Sequence, residues 1–250
     1  MNISRAIQHP TQDPNFIQKL AITSLVGMVP ILNFAVQGYA LEHAANVMAG
    51  RELPLPGWSD LSARFNRGLR LGLAQLVYAA PLLFLYGVLM TAILVFTFGA
   101  QAAIYSGQAS RDVSRFLGVG SVALFGIMAV LGGALFFLGI AIGLLGPGIF
   151  RQYLQHGTFG SCFQFGEILA FTRRRIGNIM LSQVILYAIV LAPILGSMFL
   201  QFIPCLGSLA SFALMFAALG YYQIVHAHLM GQMMLKDSQV PAPPVRRQAQ

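Results

Sequence analysis

Charge is what this sequence has least of. Charged residues make up 9% of its 250 residues while hydrophobic residues make up 57%, whereas a soluble chain carries ~25% charge on a surface that faces water. An ordinary cytosolic enzyme is therefore excluded. Acids are scarcest, with seven Asp and Glu in total, and from Leu71 to Ser110 there is no Asp, Glu, Lys, Arg or His. Cysteine is limited to Cys162 and Cys205, whose separation fits no metal-ligand or redox spacing. What is abundant is apolar: mean hydropathy is +0.72, with 26 Gly and 19 Phe in runs free of ionisable groups. Such runs rule out a disordered chain and a nucleic-acid module and leave a polytopic membrane protein.

The formal net charge of +8 and pI near 10.0 fit that class. Thirteen of the fifteen basic residues are Arg, and they cluster beside the apolar runs, where they set orientation and meet anionic lipid.

The expected fold is all-α, a bundle of about five transmembrane helices with two amphipathic segments on the cytoplasmic side. Residues 1–19 are polar, with Pro10 and Pro14 breaking any long helix. Residues 20–235 form one membrane domain, with spans expected near 20–40, 71–98, 116–145, 176–202 and 208–228, each long enough to cross at ~20 residues. A signal peptide ending at Gly38-Tyr39-Ala40 is the rival for the first run, but Pro30 lies inside it and the helical pattern continues through Met48. The run 71–98 would reach ~42 Å as a straight helix, and Pro81 sits within it. Gly132-Gly133 raises the alternative of a re-entrant pair within 116–145. Residues 59–70 and 161–172 read as interfacial helices: Trp58, Leu61, Phe65 and Leu69 share one face, as do Cys162, Phe165, Leu169 and Thr172. Residues 236–250, with Pro241, Pro243, Pro244, Arg246 and Arg247, read as a disordered tail.

A shift of about 107 residues aligns Gly50 with Gly157, Trp58 with Phe165, Asp60 with Glu167 and Arg67 with Arg174. Pro81 and Pro193 then play the same kinking part. Each unit is a span, a glycine turn, an amphipathic segment ending in arginine, and a kinked span, so the two repeats are parallel and a final helix follows them. Under five spans, Arg5, Lys19, Arg111 and Arg115 lie on one side and the other eleven basic residues on the opposite side. The richer side is expected to be cytoplasmic, with the amino terminus outside and the carboxyl terminus inside.

Arg64, Arg67, Arg70, Arg173, Arg174 and Arg175 are the candidate contacts to anionic lipid headgroups. Simple topology signals would place the same residues identically. His43, His156, His226 and His228 group toward the cytoplasmic helix ends, yet His226 and His228 are two apart and point in different directions on a helix, so no metal set is assigned. Glu42 and Glu167, the only acids near hydrocarbon, are expected to pair with nearby arginines. No Lys-bearing phosphate loop or nucleophile elbow occurs, and no catalytic residue, cofactor or metal is expected.

The chain resembles a known family through Gly38-Tyr39-Ala40-Leu41, the Gly50-Arg51-Glu52-Leu53-Pro54 turn, Trp58-Ser59-Asp60, and Arg67-Gly68-Leu69 leading to Tyr78 and Pro81. Softer matches lie in Phe163 to Ile168, Ile203 to Gly207 and His228 to Gln232. It is similar, from about Asp13 to Met233, to the prokaryotic membrane family called domain of unknown function 4013. The resemblance implies a multi-pass protein of a prokaryotic cytoplasmic membrane and brings no catalytic residue. The expected role is a non-enzymatic scaffold, assembly factor or accessory subunit. Its partners would be membrane lipids and a protein partner or second copy, not nucleic acid. The alternative is a facilitated pathway for a lipid or small apolar solute.

Overall fold

Every apolar run becomes helix. The computed structural model describes residues 1–105, 111–203 and 206–235, and among these there is no strand. The helices are α1 (Ile3–Gln8), α2 (Phe16–Met28), α3 (Asn33–Met48), α4 (Leu61–Tyr105), α5 (Arg111–His156), α6 (Phe165–Leu200) and α7 (Leu206–Leu235). Four stretches are long and apolar enough to cross a bilayer: Leu61–Gly99, Gly120–His156, Phe165–Leu200 and Leu206–Leu235. The chain is thus an all-helical, polytopic membrane protein. The expected tail beyond Leu235, and Pro204 and Cys205 of the expected turn, lie outside the described residues.

The first apolar run departs from the single span expected over 20–40. Pro30 lacks an N–H and its ring weakens a helix at that point, and here the run folds as two helices, α2 and α3, joined through Val29–Leu32. With 13 and 16 residues, these helices reach only ~20 and ~24 Å, less than the ~30 Å of hydrocarbon. Both pack on α7. Phe16 meets Tyr221 edge-on at 6.3 Å, Ser24 lies against Gly220, and at the far end of α3 Val47 and Ala44 lie against Gly231. Near the hairpin tip, Met28 and Asn33 share a small cavity with Phe216 and Leu219 of α7. The pair therefore runs in along α7 and back again.

That path carries the amino terminus with it. α1 folds along the same half of α7: Ala6 is buried with Val225, Leu229 and Leu186, and the Tyr221 hydroxyl donates to the Ile7 carbonyl at 2.9 Å. The Asn2 N–H donates to Gln232 Oε1 at 2.7 Å while Gln232 Nε2 donates to the Asn2 carbonyl at 3.0 Å. These bonds hold the amino-terminal helix beside the carboxyl-terminal half of α7.

Residues 59–70 and 161–172 are not separate interfacial helices. Only the 3₁₀ turn Phe159–Phe163 stands apart, while α4 runs unbroken from Leu61 and α6 from Phe165 through Arg173 to Arg175. Nothing between Arg70 and Leu71, or between Arg175 and Ile176, breaks a helix, so the amphipathic stretch is the polar foot of each long helix. Likewise α5 passes through Gly132-Gly133 as one helix.

The described chain divides into two compact units, Met1–Gln75 with the described residues from Leu144 onward, and Leu76–Gly143. In the first, α7 is central and its fully buried Ile224, Leu229, Met230 and Met234 join Tyr39, Phe171 and Ile149. Backbone approach is close where glycines cross. A Cβ on Gly38 would meet the Arg64 carbonyl, one on Gly68 the Phe34 carbonyl, and one on Gly148 would come within 2.8 Å of Ile168 Cγ2. The second unit is an antiparallel helix pair in which a Cβ on Gly139 would come within 3.5 Å of Leu82 and one on Gly120 within 3.6 Å of Phe96. Many of its described side chains, such as Phe84, Phe125, Val130 and Phe137, are exposed, as lipid-facing residues would be.

Gly50 and Gly157, matched by the repeat, both adopt left-handed φ, 69° and 66°. At Gly50 the N–H donates to the Val47 carbonyl at 3.1 Å and the Arg51 N–H to the Asn46 carbonyl at 3.1 Å, the double cap that left-handed glycine makes available. Gly50→Ala or Gly157→Ala should therefore cost ~1–2 kcal/mol. Gly177→Ala, in a helix with open space around it, should gain up to ~1 kcal/mol. Thermal unfolding in detergent, followed by Trp58 emission, checks the difference in sign.

Candidate functional site

The six candidate arginines divide. Arg67, Arg70, Arg173 and Arg174 are exposed and Arg175 is half-buried, as headgroup contacts require. Arg64 is only 4% exposed. Its Nε donates to Glu42 Oε2 at 3.0 Å, and its guanidinium lies 5.9 Å from the ring centroids of both Tyr39 and Trp58. Those rings stack at 4.7 Å and 9°. Arg64 therefore holds α4 to α3 rather than reaching lipid, and the expected pairing of Glu42 with an arginine is met here. Glu167 is exposed, and among the described residues the ion pairs are Arg64–Glu42 and Lys19–Asp13.

Sequence spacing does foreshadow the Arg64 pair. Gly38 and Glu42 are one turn apart on α3, and Arg64 and Gly68 are one turn apart on α4. When the two glycines let the backbones meet, the two charges are brought together. Lys19 completes the anchoring of the following loop, donating to Asp13 Oδ2 at 2.6 Å and to the Leu55 carbonyl at 3.0 Å.

The histidines also divide. His43 is fully buried, its Nδ1 donating to the Pro54 carbonyl at 3.1 Å, because a carbonyl can only accept. His228 is 2% exposed, with its ring 5.5 Å from His43 on one side and 5.5 Å from His9 on the other. His226 packs instead on Tyr222 and Phe150, and His156 is exposed. No group of three His, Cys, Asp or Glu that could hold a metal occurs among the described residues.

His9 and His228 line a cavity of about 470 Å³ together with Arg5, Arg51, Val47, Pro54 and Gln232, a volume in the range of ligand pockets. Burial, and then the neighbouring Arg5, hold the His9 imidazole below its usual range. Sequence reading passed over Arg5, His9 and Arg51 as site residues. Their meeting depends on α1 lying against α7 across more than 200 residues of chain, and no local pattern announces that contact. Cys162, on the 3₁₀ turn, is fully buried, and burial raises its thiol pKa.

No curated protein and no solved structure matches the chain. Residues 22–202 match the family described as Protein of unknown function (DUF4013), and with most of the chain covered, it belongs to that family.

Proposed function

We propose that the chain is a non-enzymatic scaffold or accessory subunit of a prokaryotic cytoplasmic membrane, with its uncharged helices packing against another integral membrane protein or a second copy. The observation that carries this reading is the open small-residue face of α5. Gly126 and Gly133, two turns apart on one side, have nothing within 4 Å, and small residues are where helices approach closely in lipid. The acids support it too: Asp13 and Glu42 are engaged in ion pairs, and Glu167 is exposed on the polar foot of α6.

The topology of this reading has four crossings, with α1 to α3 and the feet of the long helices on one side. Thirteen of the fifteen basic residues then fall on that side and only Arg111 and Arg115 on the other. The asymmetry is sharper than five spans give and supports a cytoplasmic position for both termini.

Purification in mild detergent tests the role. One stoichiometric protein partner, or a dimer, should be retained by the wild type and lost in Gly126→Leu with Gly133→Leu, while insertion is unchanged. A monomer that carries only phospholipid between its helices would favour the facilitated lipid pathway instead.

A further inference from the structure

We propose that the cavity where α1, the end of α3 and the end of α7 meet binds a phosphate group, presented on a phospholipid headgroup or on a small soluble phosphate ester. Arg5 and Arg51 supply two guanidinium groups, and no Asp or Glu is among the lining residues. Neither arginine is in the ion pairs seen among the described residues. Guanidinium is the side chain best matched to phosphate oxygens, since its planar fork donates two parallel hydrogen bonds.

The second observation is His228. It lines the cavity, is 2% exposed, and its Nδ1 has no hydrogen-bond partner. A buried polar atom left without a partner costs free energy that a bound ligand recovers. The Nδ1 of His9, on the same wall, is unpartnered as well.

Two features build the site rather than leave it to chance. Gln232 clamps the Asn2 backbone with both its amide atoms, so α1 and Arg5 are fixed against α7. Left-handed Gly50 sets the cap in which the Arg51 N–H bonds the Asn46 carbonyl, which places Arg51 at the rim. The same cap occupies the Asn46 and Val47 carbonyls and weakens the negative end of the α3 dipole that would otherwise repel an anion. Val47 and Pro54 add an apolar part to the wall, suited to the start of a lipid's acyl chains.

Two experiments on the full chain separate the sources. In the first, native mass spectrometry counts phosphatidylglycerol retained from mixed phosphatidylcholine and phosphatidylglycerol micelles. In the second, glycerol 3-phosphate is titrated calorimetrically into the protein in phosphatidylcholine nanodiscs. Arg5→Gln with Arg51→Gln should reduce binding about tenfold or more in whichever arm binds, while His156→Gln, exposed and outside the cavity lining, leaves it unchanged. His9→Trp, which fills the cavity without removing an arginine, should have the same effect, and the thermal loss of helical circular dichroism serves as the folding control. Retention in the first arm alone identifies a lipid headgroup, and binding in the second identifies a soluble ester. The proposal is overturned if neither arm binds, or if binding is equal in wild type, Arg5/Arg51 and His9 variants.

Discussion

Gly68→Val should lower stability by ~3 kcal/mol or more, the upper part of the range for overpacking and a large share of the ~5–15 kcal/mol that holds a typical protein together. The added Cβ meets the Phe34 carbonyl oxygen and approaches the Gly38 nitrogen at 2.6 Å. Both are backbone atoms, so no side-chain rotation relieves the overlap, and α3 and α4 must separate. Separation also pulls Arg64 from Glu42 and from the stacked Tyr39 and Trp58 rings. Gly38→Val should behave alike, because its Cβ meets the Arg64 backbone. Gly87→Val serves as the contrast, since Gly87 has nothing within 4 Å. Thermal unfolding read by Trp58, the only tryptophan, measures all three. A Gly68 variant that melts with the wild type would remove the helix crossing from the account.

Glu42→Gln should cost ~2–3 kcal/mol. Breaking a buried ion pair by removing one partner costs ~3–5 kcal/mol because the other charge is left uncompensated, but the Glu42 side chain is 30% exposed while that of Arg64 is 4% exposed. Water reaching the acid end screens part of the interaction. Combining Glu42→Gln with Arg64→Met should recover stability to within ~1 kcal/mol of the wild type, since a hydrophobic replacement leaves no charge to desolvate. The coupling between the two positions, read from a double-mutant cycle of melting curves, should therefore be large. Additive effects of the two substitutions would place Arg64 in solvent and return it to the set of lipid contacts.

Much of the architecture was legible because hydrocarbon imposes few solutions. Uncharged runs from Leu71, Phe116 and Ile176 could only be helices, and the glycine turns at 50 and 157, which the repeat aligns, both carry left-handed backbone. Two things were read differently. The run 20–40 was read as one span with Pro30 inside it, yet Pro30 falls in the turn between α2 and α3, both of which pack on α7. Arg64 was grouped with its exposed neighbours by spacing, although the turn between it and Gly68 ties it to the buried face. The cavity lined by Arg5, His9, Arg51 and His228 was not legible at all, since it rests on a contact between the first and last helices. Charge counting over five spans set Arg5 apart from the end of α7, beside which α1 packs.

Sidedness of the first helix tests the central claim most directly. In a chain with Cys162 and Cys205 changed to serine, single cysteines at Gln8, Arg173 and Phe202 can be labelled with a membrane-impermeant thiol reagent in right-side-out and inverted vesicles; all three positions are exposed. The packing of α1 and the α2–α3 hairpin along α7 predicts that Gln8→Cys and Arg173→Cys label in inverted vesicles and Phe202→Cys in right-side-out ones. Labelling of Gln8→Cys together with Phe202→Cys would restore a first span that crosses the membrane and contradict the hairpin.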